Sequence, residues 1–457
     1  MDKIVTEKLA AGKIPDAAID FATDILTWTT EKLTQVQLID SISLQVFDNL
    51  LKISPEYDED HVQEYIAILV HYLQDPEFQQ KVATLETVEK LVDLMLNFES
   101  NQLTEGDIGN TMHDLSTQTG PEDSASETNV ILMTRVVNSL SAMSASDAFM
   151  QRFTLESPVI QKLKANIESL EIFPSTVCSC VILGNLATSD LVCIEIVTTM
   201  RIHLALIQIL GSCEEQALLY AAAGFMRHLT FPESNRAILG QAGLIETCCR
   251  LLMNHDPTVR GEAAAILSKL ASSCFPNIKK MIMETLPSHI KAAQLPETEE
   301  ASQPSILHYI VMQALAPSQP LPSTTMKNPI IELGRTLVAI LRYIRRSNND
   351  EGLGDMSIEF FKTPLIARPV ARLVRQRFYA DARSEGLLGL GLMAQSPDGA
   401  LCVVNEMKAD EGLLNAVKEF AVEQRGDAQK TNESAGRDHQ NAVVLLHGLA
   451  TNAVSER

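Results

Sequence analysis

The run Gly386-Leu387-Leu388-Gly389-Leu390-Gly391 has glycines spaced as in a loop that cradles phosphate through its backbone amides. No Lys-Ser/Thr pair follows it and its neighbours are apolar, so it reads instead as a packed helix with small residues at close contacts. The ten histidines are scattered, with no HExxH pair that would set two imidazoles on one helix face for zinc. The eight cysteines, Cys178, Cys180, Cys193, Cys213, Cys248, Cys249, Cys274 and Cys402, include no CxxC pair and fall mostly in apolar runs. They read as small buried hydrophobes of a reducing compartment. No GxSxG elbow is present. The expectation is a chain without catalytic residues, metal or cofactor.

Two charged clusters remain. Arg368, Arg372 and Arg375 share one helical face at i, i+4 and i+7, with Arg377 and Arg383 close behind. Such a strip either receives an acidic partner surface or pairs with the chain's own excess carboxylates, and the excess favours the second. Glu56, Asp58, Glu59 and Asp60 form an acidic turn. The formal charge of −21 argues against nucleic acid or an anionic membrane as partner, since both would be repelled, whereas a basic protein segment would be attracted. No apolar stretch approaches the ~20 residues needed to cross a bilayer, so membrane insertion is not expected. The first residues lead straight into amphipathic sequence without an apolar core and cleavage site, which points to the cytoplasm, with the nucleus as a further compartment.

The elements that would position any binding residue follow from an internal repeat. Val136-Val137-Asn138-Ser139-Leu140, Ile182-Leu183-Gly184-Asn185-Leu186, Phe225-Met226-Arg227-His228-Leu229 and Ile266-Leu267-Ser268-Lys269-Leu270 each place an apolar pair three and four residues before a Leu. The marker leucines lie 46, 43 and 41 residues apart, the period of armadillo and HEAT arrays. The spacing puts the three apolar side chains on one helical stripe that must be buried. Between markers, Gly243 predicts a sharp turn between two helices, and Asp256-Pro257 predicts the capped start of a third.

Three helices per unit favours armadillo over HEAT, and the fold class expected is an all-α, right-handed superhelical armadillo solenoid. Degenerate copies end near Leu73, Arg345, Ala394 and Ala450, so roughly eight units would fill the chain. The organisation expected is N-terminal helical repeats over 1–100, an acidic polar loop over 101–128, central repeats over 129–294, a Pro-rich insert over 295–328 and C-terminal repeats over 329–457. A further polar loop falls at 423–439, and within the insert 306–315 is apolar enough for a short helix.

In such an array the third helices line a concave groove. The residue before each marker leucine points away from the buried stripe, giving a ladder of Ser139, Asn185, His228 and Lys269, with Arg135 and Arg227 counted beside it as partner-binding residues. Asn185 offers both a donor and an acceptor to an extended backbone. Gly224 and Ala265, four residues before His228 and Lys269, would leave hollows between helices that could take an apolar or prenyl group.

The stretch Cys178–Ala271, including Gly184-Asn185-Leu186-Ala187-Thr188-Ser189-Asp190-Leu191 and Phe225-Met226-Arg227-His228-Leu229-Thr230-Phe231-Pro232, resembles the armadillo array of the SmgGDS-type small-GTPase GDP-dissociation stimulators. Glu332–Arg335, Ile344–Ser347, Ser384–Leu387 and Met393-Ala394 follow in the expected order, and the resemblance covers about the C-terminal two-thirds. It implies a non-enzymatic guanine-nucleotide exchange factor and chaperone for Ras-superfamily GTPases of Rho and Rap type with a basic, prenylated tail. It also implies an asparagine ladder on the concave face that contacts the GTPase. Asn185 matches that ladder, whereas His228 and Lys269 do not. A monomer is expected. The alternative is an armadillo scaffold or transport adaptor that grips an extended peptide, as importin-α or β-catenin relatives do. The import version lacks the recurring Trp of such a groove, since Trp28 is the only one. A third possibility is an ataxin-10-like armadillo protein.

Overall fold

Leu140, Leu186, Leu229 and Leu270 are all buried, and so are the apolar pairs Val136-Val137, Ile182-Leu183, Phe225-Met226 and Ile266-Leu267 that precede them. Each stripe lies on a helix that closes at or just beyond its leucine: Ser124–Ser144, Pro174–Leu186, Gln216–Leu229 and Pro257–Ala271. These are the third helices of three-helix repeats in a computed structural model. It describes the chain except residues 1, 16–17, 34–39, 55–58, 105–123, 289, 291–302, 318, 347–352, 377, 423–432 and 453–457.

The repeat ending at Ala271 shows how sequence makes the unit. Its first helix, Glu233–Gln241, stops because Gly243 takes a left-handed φ of 97°, which a side chain would oppose, and Leu244–Leu251 starts at once in a new direction. Arg201 and Leu365 occupy the left-handed region between first and second helices elsewhere, at φ 58° and 57°. Asp256 then caps the third helix, accepting from the Thr258 amide at 2.7 Å, with Pro257 in the first turn. The same three-part unit recurs as Phe275–Met283, Ile306–Ala314 and Pro329–Arg346, and again as Leu353–Lys362, Ala367–Val374 and Ala380–Met393. Pro397–Ala409, Glu411–Val422 and Glu433–Asn452 complete the series. Among the described residues there is no sheet, only an isolated antiparallel bridge between Thr285 and Ser305. Among them, too, no single helix is long and apolar enough to cross a bilayer.

The chain divides into two compact units, Met1–Val192 with Cys213–Phe225, and Cys193–Ser212 with Met226–Arg457. In the first, Ser124–Ser144 packs on both Glu59–Leu73 and Pro174–Leu186, and Gly184 lets the second of these approach Phe225, whose Cβ lies 3.3 Å from where a Cβ at Gly184 would be. In the second, Pro257–Ala271, Pro329–Arg346, Ala380–Met393 and Glu433–Asn452 stack in that order. Gly386 and Gly389 sit where Val374, Leu373, Val370 and Val338 leave no room for a Cβ, so the glycine run is a close-packed helix as expected.

Within the second unit a pair of asparagines fastens repeat to repeat. Asn235 and Asn277 are each the third residue of a first helix and lie 42 residues apart. The Asn235 amide donates to the carbonyls of Leu229 and Cys193, both at 3.0 Å. Asn277 repeats this one unit on, donating to Leu270 at 3.0 Å and Arg236 at 2.8 Å. Leu229 and Leu270 end third helices, where no intrahelical amide reaches the carbonyl, so each asparagine satisfies an orphan acceptor and ties it to the preceding repeat.

Candidate protein-binding face of the third helices

The third helices of the second unit carry charged side chains of both signs that join successive helices. Arg227 Nε lies 2.6 Å from Glu262. Arg335 bridges Glu332 at 2.8 Å and Glu385 at 2.6 Å, and Arg342 reaches the same Glu385 at 3.9 Å. Arg383 meets the buried Asp438 at 3.0 Å, and Ser384 also donates to that carboxylate. Glu262 is only 5% exposed, so its pair with Arg227 fixes geometry much more firmly than a surface pair, whose worth is ~0–1 kcal/mol. The outcome is a polar face held rigid by its own cross-links.

The residues singled out in sequence fall at unequal depths. In the second unit, His228 and Lys269 are half-buried at the C-terminal ends of consecutive third helices. The Lys269 ammonium sits 4.9 Å from the centroid of the Phe231 ring, the Arg227 guanidinium 6.0 Å from it and the His228 ring 6.1 Å. Burial lowers the Lys269 pKa, and the positive charges of Arg236, Lys327 and Arg227 add to this while Glu332 opposes it. Ala265 is buried within the helix Pro257–Ala271.

In the first unit, Asn185 is half-buried, and its amide nitrogen donates to Ser144 Oγ at 2.8 Å and to the Ser141 carbonyl. Its donor is therefore committed to the neighbouring third helix. Ser139 corrects the ladder: it is buried and Asn138 is the exposed residue, because Ser124–Ser144 is enclosed by helices on more than one side. Arg135 is exposed, and a Cβ on Gly224 would meet nothing within 4 Å, so that position opens on space.

The arginine strip is consumed internally. Arg368 pairs with Glu406 at 3.0 Å and Arg375 with Asp410 at 2.8 Å, while Arg372 donates to the carbonyls of Ala314 and Ala316. Arg377, Glu56 and Asp58 lie outside the described residues, and Glu59 and Asp60 open a helix. All cysteines but Cys402 are buried, and no group of His, Cys, Asp and Glu able to hold a metal occurs among the described residues.

No protein-family model matches the chain, and no curated protein matches it. A solved structure from work on a phosphorylation switch in the interaction between cadherin and beta-catenin matches over 99% of this chain and 84% of its own, with TM-score 0.53 and 14% identity. The fold is an armadillo solenoid. A designed armadillo repeat protein in complex with the peptide (KR)4 matches 63% of this chain and 99% of its own, with TM-score 0.44 and 13% identity. The spacing of 41 to 46 residues read from the leucines is that of the third helices which carry them, whereas Pro257–Ala271, Pro329–Arg346, Ala380–Met393 and Glu433–Asn452 follow at longer intervals. What the leucines could not indicate is the cross-linking: Asn235, Asn277, Glu262, Glu332, Glu385 and Phe231 were not singled out. The recurrence of Asn at a 42-residue interval was the available signal for the first two.

Proposed function

We propose that this armadillo chain is a non-enzymatic protein-binding solenoid whose third-helix face holds a small Ras-superfamily GTPase of Rho or Rap type and promotes release of its GDP. The observation that carries protein binding is the row of polar residues on the third helices, pre-organised by Arg227–Glu262 and Glu332–Arg335–Glu385. A rigid polar face loses little freedom on association, so more of each contact remains as affinity. The beta-catenin structure, obtained for a protein that interacts with cadherin, supports a protein partner in general.

The GTPase is supported by the sequence resemblance over Cys178–Ala271 and by the net charge of −21, which attracts a basic tail. Exchange requires no covalent chemistry. A face that prefers the nucleotide-free conformation of the GTPase weakens GDP binding by the same factor, because coupling between two ligands is reciprocal. Stopped-flow release of fluorescent GDP from a panel of Rho and Rap proteins tests this, with acceleration of at least one member expected. An unchanged release rate across the panel refutes exchange; binding that persists without acceleration assigns the chain to the scaffolds.

A further inference from the structure

We propose that the cations at the exposed Phe231, namely Arg227, Arg236 and Lys269, with Lys327 on the far side of Lys269's surroundings as a fourth, form a docking subsite for an acidic, extended segment of a partner protein with neighbouring Asp or Glu side chains. Arg152, Arg345 and Arg372 donate to backbone carbonyls, but other cations of this chain meet carboxylates. Lys162 lies 2.8 Å from Asp93, Lys280 2.5 Å from Glu246, Arg368 3.0 Å from Glu406 and Arg375 2.8 Å from Asp410. With a formal charge of −21, carboxylates are in ample supply for such pairs.

The Phe231 cluster gathers several cations with few paired carboxylates among them. Arg227 has Glu262, but Arg236 donates only to carbonyls, those of Thr230, Phe231 and Ser272. Neither Lys269 nor Lys327 has a carboxylate within ion-pair distance among the described residues, and Glu332 is already held by Arg335. Lys269 lies over an aromatic face instead, in the shared field of three other cations that, with burial, depresses its pKa. Glu262 is the carboxylate paired within the group, so positive charge is in surplus. Arg227 and Lys269 lie in the last turns of two consecutive third helices, where cations complement the helix dipole, but Arg236 and Lys327 do not. The dipole does not account for an apolar ring, 42% exposed, between Arg227 and Lys269.

An extended segment suits both features. Its carboxylates would lie on partly desolvated ammonium and guanidinium groups, where pairs are stronger than in open water. A side chain between them would cover the Phe231 ring. The inference goes beyond the GTPase reading, because it fixes the sign of charge accepted at one place and does not depend on exchange.

The full chain would be titrated with two fluorescein-labelled octapeptides, alternating Glu-Ala and alternating Lys-Ala, by anisotropy at low ionic strength, where exposed charges are weakly screened. The Glu-Ala peptide is expected to bind. Lys269→Gln with Lys327→Gln should weaken it about tenfold or more, equivalent to ~1.4 kcal/mol. Lys408→Gln with Lys418→Gln, the same charge change at exposed sites, should leave it unchanged, and Lys-Ala binding should not weaken in any variant. Circular dichroism checks the fold, and Lys327→Gln alone serves if the double variant does not fold. Absence of Glu-Ala binding, or equal loss with the Lys408→Gln, Lys418→Gln control, overturns the subsite. Because GDP release is measured separately, accelerated release without acidic-peptide binding would reject this subsite and spare the exchange reading.

Discussion

Replacing Asn277 by Ala should remove two hydrogen bonds from a side chain that is 1% exposed and leave the Leu270 carbonyl, at a helix end, without a partner. Two net bonds at ~1 kcal/mol each, with part of the desolvation cost of a stranded acceptor, give about 2–4 kcal/mol. That is a large share of the ~5–15 kcal/mol typical of a domain. Gly240 makes the prediction sharper. A Cβ there would run into the Asn277 side-chain amide, so Gly240→Ala must displace it and forfeit the same bonds. In the Asn277→Ala background that obstacle is gone, and Gly240→Ala, inside the helix Glu233–Gln241, should be neutral or stabilising by up to ~1 kcal/mol through helix propensity. The cycle therefore predicts a coupling of about 2 kcal/mol or more between residues 37 apart in sequence. Because a solenoid need not unfold in one step, urea transitions should be paired with hydrogen exchange of the amides in 233–241 and 257–283. Effects that add to within ~0.5 kcal/mol would refute the assignment of Asn277 as the fastener.

Arg227→Ala should destabilise the second unit by roughly 3 kcal/mol, since it strands the buried Glu262; adding Glu262→Gln should recover at least half, read from denaturation midpoints. His203 is buried, and burial followed by the charge of Arg201 holds its pKa below 6.5, so the fold keeps it neutral while the unfolded chain takes a proton below that pH. Stability should therefore be full above about pH 6.5 and decline as the pH falls below it; His203→Leu should flatten this dependence in melts at about pH 7.5 and 5.5, and parallel curves would contradict it. Burial pushes the Cys178 thiol up to about 12 and raises Cys180, Cys248 and Cys249 as well. A thiol reagent at about pH 8 should label only the half-buried Cys402 in the native protein and all eight cysteines after unfolding.

The sequence made the repeat legible because burial is periodic. Leu140, Leu186, Leu229 and Leu270 report a helix face that must be covered, whatever covers it. Gly243 and Asp256-Pro257 were legible for a local reason: left-handed φ and N-capping are decided within a few residues. The partner of each charge was not legible. Arg335 meets Glu385 50 residues away and Arg368 meets Glu406 38 away, distances over which helical spacing says nothing about which side chains converge. Ser139 failed for a related reason, since counting from the marker leucine gives a direction around one helix but not how many neighbours enclose it. Phe231 lies just past the last periodic residue, where an apolar side chain reads as loop until two cations are found beside it.

The chain leaving the helix Phe275–Met283 meets itself again some twenty residues later. The Leu286 amide donates to the Pro304 carbonyl at 2.8 Å, and the Ile306 amide to that of Glu284 at 3.0 Å. Those two bonds close the excursion at its root, so the helix Ile306–Ala314 starts from the same place whatever length of chain lies between. Loop-closure entropy grows only logarithmically, about 0.6 kcal/mol for each doubling. This junction is therefore a port in the scaffold, where a cassette of foreign residues could be spliced in or out while the helices on either side keep their seats.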